Sequence, residues 1–443
     1  MTHHPLTAKL QQRLSRLELP QPEPLTRMGT LVRVTGLTLE VRGLEAPLGA
    51  RCLVEQATGE PVEAEVVGFG EQVLYLMPVA HVHGLSPGAR VWPRQRQARY
   101  PAGEAVLGRI IDALGQPLDG GALIRAERTV TLERPPINPM LRRPIEKPLD
   151  VGVRAINGLL TLGQGQRVGL IAGTGVGKSV LMGMMARFTE ADVVVVGLVG
   201  ERGREVRDFV ESNLGEGLNK SVVVAAPADA PPLMRLQGAQ LATALAEDFR
   251  DRGHNVLLLM DSLTRYAQAQ REIALAVGEP PASKGYPPSV FTRIPQLVER
   301  AGNGEEGTGT MTAIYTVLAE GDDTQDPVVD AARGVLDGHI VLSRELAESG
   351  HYPAIDVEQS VSRVMVEITE PAHQQAVRRF RQRLSTYSRN RDLITLGVYR
   401  RGSDPAIDDA IEHYPAMMNY LAQGMDEAVS FDESVQALME VSR

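Results

Sequence analysis

The chain has 443 residues, 43% of them hydrophobic and 23% charged, with 46 basic against 55 acidic side chains and a formal charge of −9. Such a length predicts two to four domains, and the acidic balance argues against non-specific nucleic-acid binding by the whole chain. A single cysteine, Cys52, excludes an intrachain disulfide, and no apolar run is long enough to cross a bilayer or to form the core of a secretory signal, so a cytoplasmic protein is expected.

Residues 1–25 contain "PLTAKLQQRLSRLEL", in which Leu6, Leu10, Leu14 and Leu17 recur at spacings of four, four and three. This is one apolar stripe of an amphipathic helix, suited equally to packing on its own domain or to docking on a partner or an anionic membrane surface. From 26 to 94 the texture changes to short β-rich segments punctuated by glycine, such as "EAEVVGFGEQVLYLMP". Several short strands at close spacing predict a small closed β-barrel. Residues 95–150 read as a linker and lead-in to a P-loop core that extends to 370. "PRQRQARYPAGEA" in it is a solvated basic run without the interleaved aromatics of a nucleic-acid site.

Within the core, apolar runs at 167–171, 191–199, 222–226, 255–260, 311–318 and 338–342 alternate with helical sequence. Alternation of this kind predicts an α/β fold with a mostly parallel sheet covered on both faces. After 371, "HQQAVRRFRQRLSTYSRNRDLI" and "DPAIDDAIEHYPAMMNYLAQGM" predict a helical C-terminal domain, 371–443, with Arg378, Arg379, Arg381 and Arg383 on a solvated face.

The chemistry concentrates in three places. "RVGLIAGTGVGKSVLMGMMARF" is strand, glycine-rich turn and helix, and Ala172, Gly173, Thr174, Gly175, Val176, Gly177, Lys178 and Ser179 fit the P-loop pattern with Ala in the first glycine position. The glycines allow backbone N–H groups to face phosphate oxygens, and the helix adds its positive end. Lys178 can reach the β- and γ-phosphates, Ser179 can ligate Mg²⁺, and Val180 continues the segment; a nucleoside triphosphate is expected to bind here. A second apolar strand ends in Asp261, at the sheet edge shared with the P-loop, where a carboxylate holds the Mg²⁺ shell or caps the next helix. A third, "VVVVGLVGERGREVRDFVE", ends in Glu201 and Arg202. A carboxylate at that edge suits polarisation of the attacking water, with Arg202 orienting it or touching phosphate. The alternative is a charged helix start with pairs such as Arg204–Asp208.

Six segments in order, "GTGVGKS", "VGLVGERGREV", "LLLMDSLTRYA", "GEPPASKGYPPSVFTRIPQLVERAG", "TVLAEGDDTQDP" and "GHYPAIDVEQSVSRV", resemble the flagellar protein-export ATPases, kin to type III virulence-secretion ATPases and to the alpha and beta subunits of rotary ATP synthases. The resemblance covers nearly the whole chain. It implies a RecA-like core, preceded by the barrel and followed by the helical domain. Glu201 matches the catalytic glutamate. Arg202 and Arg265 fall where the family has active-site arginines, and Tyr352 matches the tyrosine that stacks on adenine. Arg363 matches an arginine finger supplied in trans within a homohexameric ring.

The same resemblance implies protein export driven by Mg-ATP hydrolysis, at the cytoplasmic face of the inner membrane with peripheral membrane contact. Its implied partners are a stator-like regulator at the N-terminal helix, a stalk protein, an export gate and chaperone–substrate complexes, with no nucleic acid. "EGDDTQDP", 320–327, reads either as a loop facing the ring's pore or as a solvated acidic turn. The virulence-secretion branch is the alternative in partners. A ring RNA translocase of the transcription-terminator type is the alternative in substrate, disfavoured by the acidic charge and the lack of a basic, aromatic-rich barrel.

Overall fold

The computed structural model describes residues 27–57, 59–94, 97–319 and 326–443. The expected N-terminal helix and most of the acidic loop 320–327 lie outside the described residues. Six strands come first: β1 (Gly29–Thr35), β2 (Thr38–Arg42), β3 (Arg51–Val54), β4 (Val62–Gly70), β5 (Val73–Pro78) and β6 (Arg90–Pro93). They close into a barrel in the order β1-β2-β5-β4-β3-β6, sealed by antiparallel pairing of β6 with β1. Alternate residues such as Val62, Ala64 and Val66 point inward to a core shared with Leu39, Val41, Cys52 and Leu76. Closure removes the free strand edges that an open sheet of this size would expose.

Next come β7 (Tyr100–Ala102), β8 (Ile110–Asp112), β9 (Arg128–Val130), β10 (Pro148–Leu149) and β11 (Leu162–Gly163). β7 pairs with β9 and β10 with β11, as two short ribbons. The core sheet is made of β8 with β12 (Arg167–Ala172), β13 (Val193–Val199), β14 (Ser221–Ala226), β15 (Asn255–Asp261), β16 (Thr310–Leu318), β17 (Gly338–Leu342) and β18 (Ile355–Ser362). Its order is β18-β17-β12-β16-β15-β13-β14-β8. Every neighbouring pair is parallel except β17–β18.

The six apolar runs of the sequence are thus β12 to β17. β13, "VVVVGLV", is buried along its whole length because both faces are covered. Val193, Val195 and Val199 face a layer of helices Pro232–Asp251, Leu263–Ala276 and Pro288–Val298; Val194, Val196 and Leu198 face helix Lys178–Phe188. The sequence reading did not anticipate β8 or β18. Each is short or weakly alternating, and β18 buries Ile355 and Val357 while exposing Glu358 and Gln359.

After residue 370, helices Pro371–Thr395, Pro405–Leu421 and Phe431–Val441 form the C-terminal region. They pack on the face of the sheet that carries helix Lys178–Phe188, through Phe380, Leu384, Met417, Tyr420 and Leu438. The basic run on the first of these helices is not one solvated face. Arg378 and Arg379 are exposed, but Arg381 donates to the carbonyls of Ser360 and Leu159, and Arg383 pairs with Asp409 at 2.8 Å. A helix packed on two sides turns part of any charged stripe inward, where carbonyls and carboxylates must satisfy it. Among the described residues no helix is long and apolar enough to cross a membrane.

Phe380 is fully buried, its ring centroid 5.6 Å from that of Tyr420. Phe380→Ala is expected to cost about 3–5 kcal/mol by cavity formation. Urea unfolding followed by tyrosine fluorescence checks this, as a lowered midpoint in the transition of the C-terminal helices.

Candidate active site

The carboxyl ends of β12, β13, β15 and β16 meet at one edge, and the loops leaving them carry the charged residues. β12 ends in Ala172 and the P-loop turns through Gly175 (φ 79°) and Gly177 (φ 89°), left-handed positions that favour glycine. Helix Lys178–Phe188 begins directly after Gly177. Its first-turn N–H groups therefore open toward the edge, an arrangement suited to phosphate. Thr174 and Gly175 are exposed there, Gly173 and Val176 are buried, and Ser179 and Val180 in the first turn are half-buried.

Lys178 lies under this turn with its side chain only 12% exposed. Its Nζ donates to Asp261 Oδ1 in a short ion pair and lies 3.5 Å from Glu201 Oε1. Asp261, at the end of β15, also accepts the Thr316 hydroxyl from β16 at 2.5 Å. Ser262, and not Asp261, caps the following helix, its hydroxyl accepting the Arg265 N–H at 3.2 Å. That leaves the Asp261 carboxylate to the cation. The Asp261–Ser262 peptide is cis.

Glu201 follows β13 because Gly200 breaks the strand at φ 72°. A Cβ on Gly200 would stand 2.6 Å from the Arg265 Cβ, so glycine is required for this approach as well as for the angle. Burial pushes the Glu201 carboxyl above its ordinary range; Lys178 opposes the shift, and the neighbouring Glu205 carboxylate reinforces it. Burial also raises Asp261, against the pull of Lys178 and with a contribution from the Glu201 charge. Two carboxylates thus share one ammonium in a site that hydrates none of them fully, an expensive arrangement unless a ligand uses it.

The other sequence-predicted residues divide. Arg265 is close enough for its charge to act on Glu201, and it donates to Gln268 at 2.7 Å. Its buried Nε has no hydrogen-bond partner, an orphaned donor beside the carboxylates. Arg202 does not join the cluster. Its side chain is 83% exposed and pairs loosely with Glu205 at 3.7 Å, while Arg204–Asp208 forms the expected helix-start pair at 3.3 Å. Tyr352 lies beside the P-loop, its ring 3.5 Å from where a Cβ on Gly177 would be. The Gln423 N–H from the C-terminal region donates to the Tyr352 carbonyl at 3.0 Å.

Arg363 is elsewhere. β18 runs antiparallel to β17, with Ile355 opposite Leu342 and Ser362 opposite Gly338. At about 3.3 Å per residue the strand carries the chain roughly 23 Å, to the edge opposite the P-loop. There Arg363 is exposed, and its guanidinium forms no ion pair among the described residues. It does not approach the phosphate edge of its own chain.

Sequence reasoning missed Thr316 and Thr264, whose hydroxyl accepts the Leu318 N–H at 2.9 Å. The signal was a threonine near the end of a buried strand and another just past one, at the edge already chosen for Asp261. Among the described residues no group of three or more His, Cys, Asp and Glu stands together as a metal cage. A Mg²⁺ completed by phosphate oxygens and water needs only one or two protein ligands, and the Ser179 hydroxyl with the Asp261 carboxylate is an all-oxygen set of the kind it prefers.

A parallel sheet with a P-loop and buried acidic strand ends defines a P-loop nucleoside triphosphatase core. Residues 152–362 match the ATP synthase alpha/beta family, nucleotide-binding domain, and residues 369–440 match the T3SS EscN ATPase C-terminal domain. The chain is 61% identical over 410 residues to the flagellum-specific ATP synthase of Pseudomonas aeruginosa, covering 92% of this chain and 91% of that one. It is 48% identical to the type 3 secretion system ATPase of Xanthomonas euvesicatoria, with 94% of each chain covered. Among solved structures, the assembled ATPase EscN from the enteropathogenic E. coli type III secretion system superposes with a TM-score of 0.89 at 41% identity, over 94% of this chain and all of that one. EscN in complex with its central stalk EscO gives 0.86 at 40% identity. The chain belongs to the family of flagellum-specific and type III secretion ATPases and is an ATPase.

Glu201→Gln is expected to lower ATP turnover by roughly 10²–10⁴-fold, the usual worth of a positioned general base. A carboxyl whose pKa is raised by the fold stabilises it below the unfolded-state pKa and loses that contribution as pH rises through the folded-state value. The neutral amide should therefore raise the thermal midpoint of the nucleotide-free protein at pH 7 and leave it nearly unchanged at pH 4. Scanning fluorimetry at the two pH values, beside phosphate-release assays, checks both.

Proposed function

We propose that this chain is the Mg-ATP-hydrolysing hexameric motor of flagellar protein export. The observation that carries the reading is the split between the two sheet edges: Lys178, Asp261 and Glu201 together at one, and at the other Arg363, exposed and without an ion pair among the described residues. A hydrolytic site with its cation, base and P-loop in one chain and its finger on the far side is completed by a neighbour in a closed ring.

In this reading the P-loop amides and Lys178 hold the β- and γ-phosphates. The ammonium exchanges its carboxylate partners for phosphate as the nucleotide binds. Freed of Lys178, Glu201 orients the attacking water and accepts its proton, helped by the raised pKa that burial gives it. Arg265 turns its unpaired Nε toward the phosphates, Tyr352 stacks on adenine, and Ser179 and Asp261 hold Mg²⁺. When bound, Mg²⁺ supplies charge neutralisation at the phosphate oxygens. Arg363 of the adjacent subunit neutralises charge on the transferred phosphoryl, worth about 10³–10⁵-fold in other NTPases. Arg202 is left to ring contacts or to the nucleotide-loaded state.

The flagellar assignment draws on identities of 61% and 59% to flagellum-specific relatives, against 48% for the secretion ATPase. A central stalk partner draws on the EscN–EscO complex. An export gate, chaperone–substrate complexes, a stator-like regulator at residues 5–19 and a peripheral place at the cytoplasmic face of the inner membrane complete the proposal.

Specific activity per protomer is expected to rise steeply with protein concentration. Arg363→Ala should be nearly inactive while binding ATP normally by equilibrium fluorescence. Equimolar mixtures of Glu201→Gln and Arg363→Ala chains should regain activity, since roughly a quarter of randomly assembled interfaces then hold both groups. Flat specific activity and a full-rate Arg363→Ala enzyme would refute the shared site.

A further inference from the structure

Gln166 closes the turn before β12 and is fully buried. Its Oε1 accepts the Gly163 N–H at 2.9 Å, and its Nε2 donates twice: to the Asp337 carbonyl and to Ser362 Oγ, each at 3.1 Å. The same Asp337 carbonyl accepts the backbone N–H of Arg363 at 3.0 Å. Ser362 Oγ in turn donates to the Thr161 carbonyl at 2.9 Å. One buried amide thus grips the residue before Arg363 and the carbonyl that holds Arg363 itself.

The grip is tight. A Cβ on Gly338 would lie 2.4 Å from the Val361 carbonyl oxygen and 3.4 Å from Gln166 Nε2, so the end of β18 is pressed against β17. Asp337 is further fixed by Arg167, which donates to its Oδ2 from the backbone at 3.0 Å and from Nε at 3.1 Å. From Gln166, β12 rises roughly 20 Å to Ala172 and the P-loop. The root of Arg363 and the chain's own phosphate-binding turn are therefore the two ends of one six-residue central strand.

We infer that Gln166 is a positioning residue for Arg363: it ties the guanidinium that completes the neighbouring subunit's site to the base of the strand that carries the chain's own P-loop. The inference rests on the trans role of Arg363 proposed above. It predicts that loss of the amide harms catalysis only in the site to which that chain lends its arginine. A buried amide with a merely structural role would harm its own chain's site equally, or neither.

Mixed rings separate these. The reference is the Glu201→Gln plus Arg363→Ala mixture, in which every active interface takes its P-loop from the Arg363→Ala chain and its arginine from the Glu201→Gln chain. Gln166→Met, close in shape and unable to donate, is added first to the arginine donor and then to the P-loop donor. In the donor of Arg363 it should lower kcat by roughly 10–100-fold, the scale of a misplaced catalytic group, with KM for ATP within about twofold. In the P-loop donor it should leave the rate of the reference mixture.

Ser362→Ala, which removes one of the two acceptors, should segregate in the same way and serves if Gln166→Met chains do not assemble. A defect that follows the P-loop donor, or that appears equally in both, overturns the inference while leaving the shared site intact. A reference mixture that regains no activity overturns the trans role of Arg363 and this inference with it.

Discussion

The arrangement on which the rest depends is a single ammonium, Lys178, held between two partly desolvated carboxylates at the carboxyl edge of a parallel sheet. Breaking a pair like this by removing one partner strands a buried charge, whereas phosphate can take the cation over without leaving it bare. In the proposed function the apolar strands make that exchange possible. β12, β13, β15 and β16 bring their ends together because parallel pairing points them the same way, and helices on both faces keep the edge dry below the loops.

The opposite edge follows from the one antiparallel pairing in the sheet. Had β18 run parallel to β17, its end would have delivered Arg363 to its own P-loop edge. Running antiparallel, it delivers the arginine to the far side, exposed and without an ion pair among the described residues. With the trans role proposed for Arg363, a fold that separates two groups needed for one reaction makes the assembled state the working unit, and the inferred role of Gln166 ties each site to its neighbour through β12 and the hydrogen bonds at its base.

Much of this was legible in the sequence, and the reasons differ by element. The six buried runs were readable because strands covered on both faces are nearly continuous in Val, Leu and Ile. The P-loop was readable because glycine spacing and strand–helix context reinforce each other. Glu201 and Asp261 were readable as charges placed where apolar strands stop.

What escaped lacked a local pattern. β8 is three residues long, and β18 has polar residues on its buried side, so neither has a period to detect. Arg381 looked solvated because its partners, the Ser360 and Leu159 carbonyls, are distant in sequence. Arg202 was placed at the site by its neighbour Glu201 and by the family resemblance, yet in this structure the turn after Gly200 sends the two side chains to different surroundings. Thr316, a single polar residue in an apolar run, and Gln166, one of two glutamines in a glycine-rich turn, were invisible because each acquires meaning only once the facing strands are known.

The most direct test is a cryo-electron microscopy structure of the assembled protein with Mg²⁺ and a non-hydrolysable ATP analogue. The account predicts Lys178 moved from Asp261 onto the terminal phosphates, Glu201 facing the γ-phosphate across one water, and Arg363 of the adjacent subunit within hydrogen-bond reach of that phosphate. Lys178 still paired with Asp261 over a bound nucleotide, or Arg363 remote from every nucleotide in a closed ring, would contradict it.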